Sequence, residues 1–315
     1  MKSQRSGPQL GGAVAVVTGA SRGLGRFLSQ ALAESGAAVG LIARSADELA
    51  ACAREITQAG GRAVAATGDA SRPGDVESAM DRIRSELGPI DLLVNNAGIA
   101  GPSGNTWDLG PGAWWQTVEV NLRSAYLGTR TVLPEMIARG SGRIVNITSK
   151  AGVQRWPGQA AYAVSKAAII KLTENVAAET SGCGVRVFSV DPGLLPIGLS
   201  TSALGSGAVS GSGEARRDAW VRHQLAAGHG ADPAWAAGLV IRIAASEADA
   251  LSGCHLSVHD DLDQMLALAA RAPDKDIYRL RRSDPTLVGR AEGSGDGWRT
   301  AEPASGLAER KKSPK

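Results

Sequence analysis

Aromatic side chains are scarce: of 315 residues, two are Phe, three Tyr and seven Trp, 4% of the chain. A strong charge of either sign is also missing, since the formal net charge is only +3. Without a basic stripe interleaved with stacking rings, nucleic-acid binding has no support. Cysteine occurs three times, as Cys52, Cys183 and Cys254, never in a C-x-x-C pair. That spacing suggests neither a disulfide framework nor a cysteine zinc site. His223, His229, His255 and His259 show no metal-ligand spacing, so no metal is expected. No run nears the roughly 18 apolar residues of a membrane span. The first ten residues, MKSQRSGPQL, are polar and lack the apolar centre of a signal peptide. The expectation is a cytoplasmic protein with no membrane partner.

Glycine, at 40 residues, is what the chain has in quantity, and its placement is informative. AVAVVTGA (13–20) is a short β-rich run, and SRGLGRFLSQALAESGA then takes on helical spacing up to Gly36. Between them lies T-G-x-x-x-G-x-G, with Thr18, Gly19, Gly23 and Gly25. Glycines let the backbone approach a pyrophosphate, and the helix N-terminus offers N–H groups and a positive dipole end. Further strands are read at 38–44, 63–70, 91–98, 143–148, 185–190 and 254–259. Helices are read between them, over 45–59, 73–87, 111–139, 159–180 and 232–247. Ser45 with Glu48 three residues on has the pattern of a capping box. Regular alternation of this kind calls for an α/β fold, a parallel sheet with helices on both faces. In such sheets ligands bind at the carboxyl ends of the strands. The glycine loop, Arg44, Asp69, Asn95, Ser149 and Pro192 all fall at strand carboxyl ends.

Residues 1–10 are expected to be flexible, 11–282 to form a single domain and 283–315 a disordered tail. Residues 198–230 interrupt the alternation with a Gly/Ser-rich stretch and a possible helix over 214–227, and are read as a substrate loop or lid.

The chemistry centres on AAYAVSK, where Tyr162 and Lys166 are four apart and share one face of a helix. A nearby ammonium favours the phenolate and can poise a tyrosine for proton transfer. Ser149, at the end of GRIVNITS, is placed to hold a substrate oxygen. Trp156, between Ser149 and Tyr162, and Trp220, on the lid, are candidate substrate contacts.

The set TGASRGLG, Asp69, NNAG, Asn121, Ser149 and YAVSK, in this order, resembles the short-chain dehydrogenase/reductase family over roughly residues 11–260. The resemblance implies a Rossmann-type doubly wound parallel sheet of about seven strands. It implies a hydride transferred between a nicotinamide and a ketone or secondary alcohol, with Tyr162 as general acid or base. Lys166 would lower the pKa of Tyr162 and hold the nicotinamide ribose, Ser149 orient the carbonyl, and Asn121 bind a relay water. Asp69 would lie against the adenine and Asn95 fix a ribose. The candidate cofactor contacts are Thr18, Gly19, Ser21, Arg22, Gly23, Leu24, Gly25, Arg44, Asp69, Ala70, Asn95, Ala97, Gly98, Tyr162, Lys166, Pro192, Gly193 and Leu195.

The second strand ends at Ala43-Arg44, with no carboxylate to bond a ribose 2′-hydroxyl. Arg44, with Arg22 from the glycine loop, is suited to a 2′-phosphate, so NADP(H) is the expected cofactor. Ile197 stands where the family usually has a threonine, and Ser200 or Thr201 is the substitute. Val258-His259-Asp260-Asp261 replaces the usual V-D-G-G. A small-molecule substrate is expected, hydrophobic and bulky given Trp156, Trp220, Leu194 and Leu195. A homodimer or homotetramer is expected through the helices 111–139 and 159–180, with Val132, Met136, Ile169 and Ile170 given as apolar residues beyond the core-facing side. The alternative is an NADP-binding regulator or scaffold without turnover.

Overall fold

The computed structural model describes residues 10–201, 212–271 and 279–280. The expected tail, the Gly/Ser-rich stretch 202–211 and all of the expected flexible N-terminus but Leu10 lie outside these residues. Leu10 is buried in the core and its N–H donates to Ser35 O at 2.6 Å, so it is held rather than flexible.

Seven parallel strands form one sheet in the order β3-β2-β1-β4-β5-β6-β7. They are β1 (Val14–Thr18), β2 (Ala38–Ala43), β3 (Arg62–Thr67), β4 (Leu92–Asn95), β5 (Gly142–Ile147), β6 (Val185–Asp191) and β7 (His255–Ser257). The helices are α1 (Gly23–Glu34), α2 (Ala46–Gln58), α3 (Pro73–Leu87), α4 (Pro111–Arg139), α5 (Ala160–Glu179), α6 (Gly213–Ala226), α7 (Pro233–Ala244) and α8 (Leu262–Arg271).

Successive side chains of a strand point to opposite faces, so a strand buried on both faces is apolar throughout. In β1, Ala15 and Val17 join the core on one face, and Val14 and Val16 the core on the other. Gly40 in β2 has no side chain because Ile83 of α3 sits there: a Cβ would come within 2.6 Å of its methyl carbon. Connections run outward from β1 on both sides, so the strand order reverses between β1 and β4. At that switch the loops after the strands diverge and leave a crevice.

Val132, Met136, Ile169 and Ile170 are all buried within the chain itself. They pack beneath α4 and α5 and present nothing to a partner, which corrects the expectation built on them. The exposed apolar residues of these helices are Trp115, Tyr126, Ile137 and Val164. Ser45 precedes α2 but makes no side-chain capping bond. Ser45 and Glu48 line the crevice instead, so the capping-box expectation fails there. No described helix is long and apolar enough to cross a membrane.

Candidate active site

The crevice at the strand ends is a cleft of about 430 Å³. Its first wall is the loop after β1. Gly19 and Gly23 have φ of +68° and +55°, a conformation that suits glycine. A Cβ on Gly25 would lie 2.2 Å from Gly19 O, so this turn closes only with glycine there. Helix α1 begins at Gly23 without any side-chain cap, and its first turn lines the cleft. Uncapped N–H groups at a helix start, in a glycine cradle, form a binding site for an anion.

Arg44, just past the end of β2, and Arg22, in the glycine loop, are both exposed and line the same end. Asp69 follows β3. Burial works against its ionised form, but hydrogen bonds from Ser71 and the charges of Arg44 and Arg72 outweigh it and hold the carboxyl below its ordinary value. Ser21, Leu24, Ala70, Ala97 and Gly98 also line the cleft. This donor set fits a dinucleotide, whose phosphates the glycine cradle would hold.

The other end is built on β5, β6 and α5. Ser149 is extended, and its hydroxyl accepts from Ala151 N at 3.2 Å. Tyr162 is half-buried on α5, and both it and Ser149 line the cleft. Lys166, one turn on, is buried and donates from Nζ to Ile147 O at 2.8 Å. Its Nζ lies 5.5 Å from the centre of the Tyr162 ring. Burial pushes the Tyr162 phenol up to about 12; Asp191 adds to this, and the Ser149 hydroxyl opposes it. The expected lowering by Lys166 does not prevail, because the ammonium is turned toward a backbone carbonyl and burial dominates. Lys166 itself is lowered to about 8 by burial.

That shift has a consequence for stability. Between about pH 8 and the reference lysine value of about 10.4, the unfolded chain binds more protons than the folded one, so stability rises with pH. Below about pH 8 the cost of burying the charge is fully present. Lys166→Met is expected to raise thermal stability at neutral pH by about 1–3 kcal/mol, with the gain shrinking toward pH 10.5. Thermal melts across this range decide it, and a pH-independent loss of stability would refute the assignment.

Several expected contacts lie elsewhere. Thr18 is buried between strand ends, donating to Val94 O at 3.5 Å and accepting from Asn96 N at 3.0 Å and Ala97 N at 3.1 Å. Its hydroxyl latches β1 to the loop after β4 and is not part of the cleft wall. Asn95 points into the protein, donating to Ala125 O, Thr129 Oγ1 and Asn146 Oδ1. It cannot fix a ribose from there, and the neighbouring Asn96 lines the cleft instead.

Asn121 accepts from Ile99 N at 2.7 Å, and donates to Ile99 O at 2.9 Å and Ser165 Oγ at 3.0 Å. Both its N–H donors are thereby committed to the protein, and it ties the loop after β4 to α5. Trp156 and Trp220 meet edge to face, 5.4 Å apart, and neither is in the cleft wall. They join α6 to the loop before α5; Glu214 reinforces this side by accepting from Ser103 N at 3.2 Å. Ser200 reaches the cleft, while Thr201 turns its hydroxyl back to Gly198 O at 3.4 Å. Pro192, Gly193 and Leu195 line the cleft as expected, together with Ile99, Asp191, Ile197, Gly198 and Leu199. Asp191 is not among the expected contacts, although its place at a strand end could have marked it, and nothing in the glycine pattern announced Ile99.

The family model described as short chain dehydrogenase matches residues 13–203. A short chain dehydrogenase of Pseudocercospora fijiensis is 43% identical over 193 residues, 59% of this chain and 60% of the relative's own length, less than two thirds of it. A cis-4-hydroxycyclohexanecarboxylate dehydrogenase of Sinomonas cyclohexanicum is 39% identical over 182 residues, 57% of this chain and 72% of the relative. Among solved structures, a gluconate 5-dehydrogenase from Burkholderia cenocepacia J2315 in complex with NADP and tartrate superposes with a TM-score of 0.70. It is 31% identical, and the match covers 81% of this chain and 97% of that one. An NAD+-bound xylitol dehydrogenase gives a TM-score of 0.71 at 27% identity, over 78% of this chain and 97% of that one.

Proposed function

Because the chain belongs to the short-chain dehydrogenase family, we propose that it is an NADP(H)-dependent oxidoreductase acting on a ketone or secondary alcohol. The observation that carries this is one continuous cleft with the uncapped glycine loop and Arg22 and Arg44 at one end, and Ser149, Tyr162 and Lys166 at the other. When bound, the nicotinamide supplies or accepts the hydride. Ser149 donates a hydrogen bond to the substrate oxygen and orients it. Tyr162 gives that oxygen a proton in ketone reduction and takes it back in alcohol oxidation. Lys166 holds the ribose with the N–H groups it does not spend on Ile147. Asn121 keeps the loop carrying Ile99 over the site, and a relay through it would use the remaining lone pair on Oδ1.

The cleft wall carries several apolar side chains, among them Ile99, Leu195, Ile197 and Leu199. Such a wall favours hydrophobic ligands. A panel of ketones with NADPH, and of alcohols with NADP+, followed at the nicotinamide absorbance, tests both points. Aryl and long-chain ketones are expected to turn over faster than small polar ones, and the reverse order would refute the apolar site. A panel without any nicotinamide conversion would refute the oxidoreductase reading.

The chain is also proposed to self-associate. Trp115 is 65% exposed and Tyr126 49%, and a spacing of 11 places both on one side of α4. Val164 of α5, the helix packed against α4, is exposed as well, and a second copy is proposed to cover these apolar side chains. Light scattering at micromolar concentration is expected to give a dimer or larger, and Trp115→Lys with Tyr126→Lys to reduce it. A monomeric unaltered protein would refute this.

A further inference from the structure

One buried carboxylate at the reacting end has no part in the chemistry above. Asp191, the last residue of β6, is 4% exposed. It lines the cleft together with Ser149, Tyr162 and Pro192. Its neighbour Val190 accepts from Thr148 N at 2.8 Å, which sets the ends of β5 and β6 side by side. Asp191 Oδ1 accepts from Gly193 N at 3.1 Å, and Oδ2 from the Ser257 hydroxyl at 3.5 Å. Both donors are neutral.

Two nearby basic groups are engaged elsewhere. Among the described residues, no lysine, arginine or histidine forms an ion pair with Asp191. Lys166 Nζ bonds Ile147 O. The His255 ring meets the hydroxyls of Thr148, at 3.3 Å, and Ser189, at 3.1 Å. Burial pushes its pKa down, against the pull of Asp191 and Asp260, so it is neutral at neutral pH.

A buried carboxylate without a counter-cation is costly, and the cost is offset where a cation arrives. The proposed reaction brings one. A carbon that exchanges hydride with the substrate has to lie beside the atom whose oxygen Tyr162 serves, which places the nicotinamide ring at this strand end. In ketone reduction the hydride passes to the carbonyl carbon, the oxygen takes the Tyr162 proton, and the ring is left with a positive charge. We infer that Asp191 is the counter-charge of the oxidised nicotinamide: it makes the cleft hold NADP+ more tightly than NADPH and poises the bound reaction toward ketone reduction. This rests on the NADP(H) reading above and deepens it.

NADP+ and NADPH differ by one hydride, hence by one unit of charge on the ring, so the ratio of their dissociation constants isolates the ring's surroundings. Two unit charges about 10 Å apart at an effective dielectric of about 20 give a factor of about ten. Asp191→Asn removes the charge and keeps an acceptor for Gly193 N, while its amide N–H can donate to the Ser257 hydroxyl in place of the bond now accepted; Asp191→Ser serves should the first variant fail to fold. Both nucleotides are titrated into the unaltered protein and the variant by calorimetry. The unaltered protein is expected to favour NADP+, and the variant to lose that preference by about tenfold. A ratio unchanged within twofold, or equal weakening of both nucleotides, overturns the inference and leaves the cofactor reading standing. Failure of either nucleotide to saturate the unaltered protein overturns both.

Discussion

Tyr162→Phe is expected to lower turnover by about 10²–10⁴-fold while nucleotide binding stays close to normal. The substitution keeps the ring on α5 and removes only the phenol oxygen, which shares the cleft with Ser149. Burial holds the phenol at about 12, so at neutral pH it carries the proton that ketone reduction needs. The same shift predicts the pH profile. Reduction keeps its acid form well into the alkaline range, and oxidation, which needs the phenolate, speeds up as pH rises. Steady-state rates in both directions, with a nucleotide titration as control, test this. Near-normal turnover of the phenylalanine variant would remove Tyr162 from the chemistry.

Ala43→Asp combined with Arg44→Ala is expected to reverse the cofactor preference. In the unaltered protein NADPH should exceed NADH in kcat/KM by about two orders of magnitude. A hydrogen bond to a charged group contributes about 1.5–3 kcal/mol, or about 10- to 150-fold per arginine. Arg22 and Arg44 are exposed, and Glu48 lines the same end of the cleft. Solvent screening and that carboxylate keep the sum below the simple product. A carboxylate at position 43 would repel a 2′-phosphate and accept from a 2′-hydroxyl. Equal efficiencies with NADH and NADPH in the unaltered protein would show that neither arginine reads the phosphate.

Strand–helix alternation and glycine position were legible because both are local. An apolar run ending in glycine has few ways to fold, and the order of such runs sets the sheet. Which way a buried polar side chain points was not legible. Thr18 and Asn95 sit at strand ends, yet both bond inward, since a buried amide or hydroxyl must find partners wherever the neighbouring strands offer them. The two tryptophans lie outside the wall of this cleft for a related reason. A ring on a loop and a ring on a helix bury more surface against each other than either would against solvent. The effect of Lys166 on Tyr162 depended on a competition between charge and burial, which a four-residue spacing cannot weigh.

Gly198 lies against Gly23 closely enough that a Cβ on Gly23 would come within 2.7 Å of the Gly198 Cα. Both residues have positive φ, +65° and +55°. Two backbones thus touch across the glycine loop, and neither position can acquire a side chain without moving the other. Under the proposed function, that contact lies beside the expected phosphate cradle. A nucleotide whose phosphates rest on α1 would share this edge of the cleft with the segment 197–200, so its dwell time is expected to respond to how closely the two backbones pack. Gly198→Ala would prop the segment up and shorten the dwell of oxidised and reduced forms alike. A change at Asp191, by contrast, would separate the two.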